Sequence, residues 1–311
     1  MRRPTISPSA YRRITLLALA LLGIIVVTGA GVRLTGSGLG CSTWPSCEPG
    51  TLVPHGESGV HGVIESTNRY FTGFVSVGVI LAVAGSFFRT PRRRDLTLWS
   101  WTLVAGVLGQ IVLGGLTVLY ELSPPFVMGH FLLSAVLVGC AVVLHHRAGE
   151  PDIGVRRPVA TPEVRVLAKV ILAAAVVVLV TGTVVTGSGP HGGDEEVERL
   201  GFFLPDVVRL HAVAVWILLA ATLWTLRLVR RGGAAPNTER ALKALVALEV
   251  AQGAVGYLQY ALGVPVGLVA VHILGSMLVL GATITVILRT TEVEPTRAPA
   301  PRTPDPVPSG V

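Results

Sequence analysis

The sequence predicts an all-α integral membrane protein. Eight transmembrane helices form two tandem four-helix bundles, related by a pseudo-twofold axis along the membrane normal. Three observations predict it: a composition too apolar for a water-soluble domain, eight apolar runs of spanning length, and a polar pattern that occurs twice. Of 311 residues, 51% are hydrophobic and only 14% charged, against about 25% charged in soluble domains. Mean hydropathy is +0.66. The net charge of +7 would hint at nucleic acid in a soluble protein. Here no basic stretch is interleaved with aromatics on a soluble face, which excludes that class of partner. The arginines mark loops instead.

The chain opens with a basic segment over 1–13 (Arg2, Arg3, Arg12, Arg13). The first apolar run, Ile14–Gly31, resembles a signal peptide in having a basic start. At 18 residues it exceeds a usual signal core, and the GSGLG stretch after it lacks a clean A-x-A site, so it is read as a span. Seven further runs follow: Tyr70–Phe88, Thr97–Leu119, Phe126–Leu144, Val170–Val185, Val207–Leu226, Ala241–Leu262 and Val266–Leu288. Each is near the ~20 residues that cross the hydrocarbon as a helix. Helix is forced because lipid offers backbone groups no other partner.

Basic residues gather in alternate loops: Arg89 to Arg94, Arg147 to Lys169, and Arg227 to Lys243. The other loops are poor in them; one carries Asp194, Glu195, Glu196, Glu198 and Asp206. By the positive-inside rule both termini are cytoplasmic, the protein sits in the cell membrane, and the loop with Cys41 and Cys47 lies outside. Disulfides persist on that side. The expected organisation is an N-terminal cytoplasmic segment 1–13, a first bundle 14–146 with an outer loop 32–69, a cytoplasmic linker 147–169, and a second bundle 170–288. A Pro-rich tail, 289–311, reads as disordered.

The repeat can be counted. Gln110 is followed by Gly114, His130 and Ser134; Gln252 is followed at the same spacings by Gly256, His272 and Ser276. TGSG at Thr35–Gly38 matches TGSG at Thr186–Gly189, and the VTG at Val27–Gly29 has an echo at Val180–Gly182. Four spans per copy is an even number, so both copies share one orientation and an inverted repeat is excluded.

Four polar positions fall at matching depth at the outer ends of the even-numbered spans: Asn68, His130, His211 and His272. A single intramembrane histidine is explained by interhelical hydrogen bonding. Two at equal depth on the second and fourth helices of one bundle point to axial ligation of haem, which bundle cores accommodate. His211 and His272 are therefore the expected ligand pair. Gly129 and Gly275, beside His130 and His272, are read as room for a flat macrocycle, or as ordinary packing of small residues. The first half keeps only His130, which would leave one face of an iron open. A bis-histidine iron suits electron transfer; an open face suits chemistry at the macrocycle. Glu65 lies one helical turn before Asn68 and is a candidate for moving protons. Arg69 and Arg209, near the same boundary, either pair haem propionates or snorkel to headgroups. His55, His61, His191, His145 and His146 read as solvated, and Cys140 as a small core residue.

At these residues the chain resembles the heme A synthase family. The resemblance runs from about Ile14 to Leu288 and rests on the duplicated bundle, the loop VRLTGSGLGCSTWPSC, the Glu65–Arg69 opening of the second span, and the histidines. It implies a heme b held by His211 and His272, heme O held as substrate by His130, a Cys41–Cys47 disulfide, and a catalytic role for Glu65. Asn68 and Arg69 fall among the polar groups of the substrate site, and Arg209 is a propionate candidate. The implied reaction oxidises the C8 methyl of heme O to a formyl group, giving heme A for cytochrome oxidase. The implied partners are heme O, a heme O synthase, an electron donor and membrane lipid. One departure stands out: the family pattern has Glu-x-x-His at the second span, whereas this chain has Glu65-x-x-Asn68, and an amide is a poor iron ligand. The alternative functions are a non-catalytic b-type cytochrome and a haem transporter or chaperone.

Overall fold

The computed structural model describes residues 5–41, 43–48 and 59–295. Eight helices follow in order: α1 (Pro8–Leu34), α2 (Gly59–Phe88), α3 (Arg94–Leu119), α4 (Pro124–Ala148), α5 (Pro162–Ser188), α6 (Leu204–Leu228), α7 (Pro236–Ala261) and α8 (Val266–Leu288). All eight are long and apolar enough to cross a membrane, and the chain is a multi-pass membrane protein. Most helices outrun their apolar runs because polar residues cap them. Proline opens the first turn of α1, α4, α5, α6 and α7, where its missing N–H costs nothing. The Ser7 and Thr161 hydroxyls accept the N–H groups of Ala10 and Val164, satisfying donors that a helix start leaves free.

Helices α1 to α4 close a ring in which α1 packs on α2 and α4, and α3 on α2 and α4; α5 to α8 close a second ring in the same order. The rings join where α8 packs on α1 and α4, and α4 touches α5. This recurrence is consistent with the expected tandem bundles. The first ring is cored by residues such as Tyr11, Leu103 and Leu144 and the second by Ile171, Leu242 and Val286, all fully buried. Phe74, Trp101, Trp216 and Ile217 point outward and are exposed, as a lipid-facing surface allows. Cys140 is a free, half-buried thiol at the first core.

Two boundaries move, and a short ribbon is added. The expected loop over 32–69 is shorter, because helix α2 begins at Gly59 and takes in His61, Glu65, Asn68 and Arg69. The architecture is not purely helical: β1 (Val155–Pro158) pairs antiparallel with β2 (Thr291–Glu294), Arg156 opposite Val293. Residues 291–294 thus belong to a ribbon rather than to a disordered tail, because the linker offers them an extended partner. The rest of that tail (296–311), residues 1–4 and His55 lie outside the described residues. At the arginine-rich end some of the loop cations are engaged in ion pairs. Buried Arg89 pairs with Asp152, Arg93 with Asp95 at 2.8 Å, and Arg156 with Glu150 at 2.6 Å.

Candidate haem sites in the two helix rings

In the second ring, α6 and α8 are opposite members, each separated from the other by α5 and α7. His211 is on the second turn of α6, and His272 on the second turn of α8. The two imidazoles are close enough to interact electrostatically. His211 Nδ1 lies 3.1 Å from the Thr181 hydroxyl of α5, a contact that orients the ring and leaves Nε2 for a ligand. Gln252 of α7 donates to the His272 carbonyl at 2.7 Å. A Cβ placed on Gly182 would stand 3.2 Å from His211 Cε1, and one on Gly256 3.2 Å from His272 Cε1. Bare backbone on the neighbouring helix is what lets each imidazole sit this close.

The first ring repeats the arrangement with one exchange. Gln110 donates to the His130 carbonyl at 3.0 Å and to Ser134 Oγ at 2.7 Å, and Gly114 lies under His130 as Gly256 lies under His272. Thr28, matching Thr181, donates to Asn68 Oδ1 at 2.8 Å. Asn68 therefore occupies the seat of His211. His130 Nδ1 and His272 Nδ1 are buried and have no hydrogen-bond partner among the described residues. Orphaned imidazole nitrogens inside an apolar ring are expensive, and they mark both positions as more than packing. Two imidazoles on opposite helices of the second ring fit a bis-histidine haem. The first ring fits a haem held from one side only.

The disulfide loop is fastened over the first ring. Cys41 and Cys47 are bonded to one another. Buried Glu65 accepts the Cys41 N–H at 2.8 Å and ion-pairs with Arg69. Arg69 also donates to the carbonyls of Thr43 at 2.9 Å and Ser46 at 3.1 Å. Trp44 lies on α3 at Gly115, where any Cβ would come within 2.8 Å of the indole. Arg69, expected among groups facing a haem, is thus committed to the loop. Both oxygens of Glu65 are engaged as well.

Other expectations change in the fold. Arg209 is exposed and pairs with exposed Asp206 at 3.2 Å, so it does not converge on the ring. Gly275 makes room for Gln252, whose Oε1 would lie 1.9 Å from an added Cβ, and Gly129 meets only Leu113; neither opens toward a macrocycle. His61, read as solvated, contacts Ser37 at 2.9 Å. His145 contacts Thr15 at 3.1 Å, and His191 contacts the Val264 carbonyl at 2.9 Å. The sequence reading missed Thr28 and Thr181, although the VTG echo contained both. It also missed Arg199, which sits in the disulfide-side junction with its guanidinium on the Thr186 carbonyl at 2.6 Å; burial pushes that guanidinium's pKa down.

Helices that span a membrane, paired imidazoles across the second ring and a disulfide-closed loop over the first define the class: a polytopic membrane protein with histidine sites between its helices. A profile of the COX15-CtaA family, described as cytochrome oxidase assembly protein, matches residues 12–190. The chain belongs to that family. Among curated relatives, the heme A synthase of Alkalihalophilus pseudofirmus is 30% identical over 122 residues, 39% of this chain and 40% of the relative. Those of Shouchella clausii and Bacillus pumilus are 31% and 30% identical, covering 42% and 44% of the relatives. The matched stretch spans about two fifths of these relatives' length. The family match stops at residue 190, so His211 and His272 rest on the geometry of the second ring.

Proposed function

We propose that this chain is a heme A synthase of the cell membrane, with both termini cytoplasmic. It converts heme O to heme A for cytochrome oxidase by oxidising the C8 methyl group. The observation that carries this reading is the unequal pair of rings: two opposed imidazoles in one, and His130 opposite Asn68 in the other. His211 and His272 would hold a heme b, which would supply one-electron transfer. Thr181 and Gln252 fix the orientation of those two ligands, and the apolar ring excludes water from them.

Substrate heme O is held by His130, which Gln110 and Ser134 set in place. On the other face Asn68 offers an amide instead of a ligand. With its oxygen engaged by Thr28, its NH2 is the group turned to substrate chemistry. Each of two steps would consume one dioxygen with two electrons and two protons, replace a methyl C–H by C–OH and release one water, and loss of water from the resulting diol would leave the formyl group. Glu65 acts first as the anchor of the disulfide loop, which roofs the site. Its proton-moving role requires Arg69 to release one oxygen. The electron donor and a heme O synthase are the partners this reading demands.

Co-expression with a source of heme O, followed by extraction and chromatography of the pigments, tests the proposal. Heme A is expected. Accumulation of heme O alone, with the protein folded and carrying haem, would reject the enzyme in favour of a carrier.

A further inference from the structure

The rings do not close on one another at the arginine-rich end. A cavity of about 810 Å³ lies there between α1, α4, α8 and the two-stranded ribbon. This is within the roughly 300–1,000 Å³ of sites that hold a cofactor-sized ligand. Its depth is apolar, walled by Leu19, Val138, Leu274 and Met277, and Gly23 and Gly281 leave it open. Its mouth is cationic. Arg12 stands beside His145 and Arg289 beside His146, each pair in electrostatic contact. Neither guanidinium has an ion-pair partner among the described residues, whereas Arg89, Arg93, Arg147 and Arg156 of this end are paired with carboxylates. Of the two carboxylates at the mouth, Glu150 is paired with Arg156 at 2.6 Å, and Glu292 accepts the Asn237 amide at 3.0 Å and keeps its charge.

Two guanidinium groups without an ion-pair partner among the described residues, beside apolar walls, match a molecule with a phosphate at one end and hydrocarbon at the other. Guanidinium takes phosphate through paired hydrogen bonds, and basic pockets between transmembrane helices select anionic headgroups. We propose that this cavity is the site of one anionic phospholipid from the leaflet on the arginine-rich side. Its phosphate lies between Arg12 and Arg289, and an acyl chain lies along α8 toward Leu274. The lipid seals the junction of the two rings, so the site is separate from both haem positions.

Native mass spectrometry of the full chain, offered phosphatidylglycerol and phosphatidylcholine in equal amounts, tests this. One phosphatidylglycerol is retained per chain, with a preference of roughly 30-fold, the attraction expected from two arginines near a charged headgroup. The Arg12→Gln/Arg289→Gln variant loses the preference, Arg12→Lys/Arg289→Lys keeps most of it, and Gly281→Leu, with both arginines present, loses retention by filling the cavity. Equal retention of the two lipids by the wild-type chain overturns the proposal, as does a preference that survives in the glutamine variant. Glycerol phosphate stabilising the protein against heat as much as the intact lipid would overturn the acyl-chain assignment. The wild-type competition needs no variant, so it decides even if a substitution prevents folding.

Discussion

Replacing Asn68 by histidine tests the relation between the two rings. The first ring already holds what an imidazole needs there. Thr28 lies 2.8 Å from the Asn68 oxygen, against 3.1 Å between Thr181 and His211. A Cβ on Gly29 would be 3.8 Å from Asn68 Nδ2, and one on Gly182 would be 3.2 Å from His211 Cε1, so a glycine flanks the position in both rings. The exchange keeps the hydrogen bond to Thr28, and a neutral bond of this kind contributes about 0.5–1.5 kcal/mol. Stability should therefore change by no more than about 1 kcal/mol. The first ring gains a second axial ligand opposite His130. The assay is optical and paramagnetic spectroscopy of the purified variant loaded with haem. The count of low-spin, bis-histidine haem per chain should rise from one to two, and heme A output should fall because the open face is closed. A variant that folds, binds haem in the first ring and shows no second low-spin signal would mean that positions 68 and 130 do not face one another across the ring.

His272→Ala should abolish the b-type absorption while leaving a folded protein; a full spectrum in the variant would reject the ligand assignment. Asp152→Ala strands buried Arg89, and losing one partner of a buried pair costs about 3–5 kcal/mol. The contact from Arg89 to the Pro91 carbonyl places the expected loss of thermal stability at the lower end of that range, and an unchanged melting temperature would contradict the burial. Glu249 of α7 is buried, accepts the Thr222 hydroxyl at 2.9 Å, and has its other oxygen unpartnered among the described residues. Thr222→Val should therefore destabilise by roughly 1–3 kcal/mol, and Thr222→Val with Glu249→Leu should recover most of it in the same melting assay.

The residues that the sequence picked out and those that it passed over differ in the distance over which they act. Gln110, His130, Gln252 and His272 were visible because their spacing repeats along the chain, and the bonds from each glutamine to its histidine carbonyl span 20 residues in both halves. Glu65 and Asn68 were visible because a carboxylate and an amide at the start of an apolar run are conspicuous. The contacts from Thr28 to Asn68 and from Thr181 to His211 join different helices, and a threonine on an apolar helix carries no mark of its partner. Gly275 was misread for the same reason: only the packing of α7 on α8 shows that its missing side chain accommodates Gln252. Arg69 and Arg209 look alike in the sequence, each near the start of a span. One is drawn into the disulfide loop by Glu65, while the other stays exposed beside Asp206.

The sequence by itself determined eight helices long and apolar enough to cross a membrane, and predicted their duplication and a common depth for the histidines. Those properties follow from hydropathy and spacing, which are local and additive along the chain. Only the tertiary structure decided which helices are opposite in each ring, which side chains hold each histidine, and that Glu65 with Arg69 fastens the disulfide loop. It also decided that the linker and the start of the tail make a ribbon, and that the junction of the rings leaves a cavity with two arginines at its mouth. These depend on how helices approach one another, which is set by small residues and buried polar pairs brought together from distant parts of the chain.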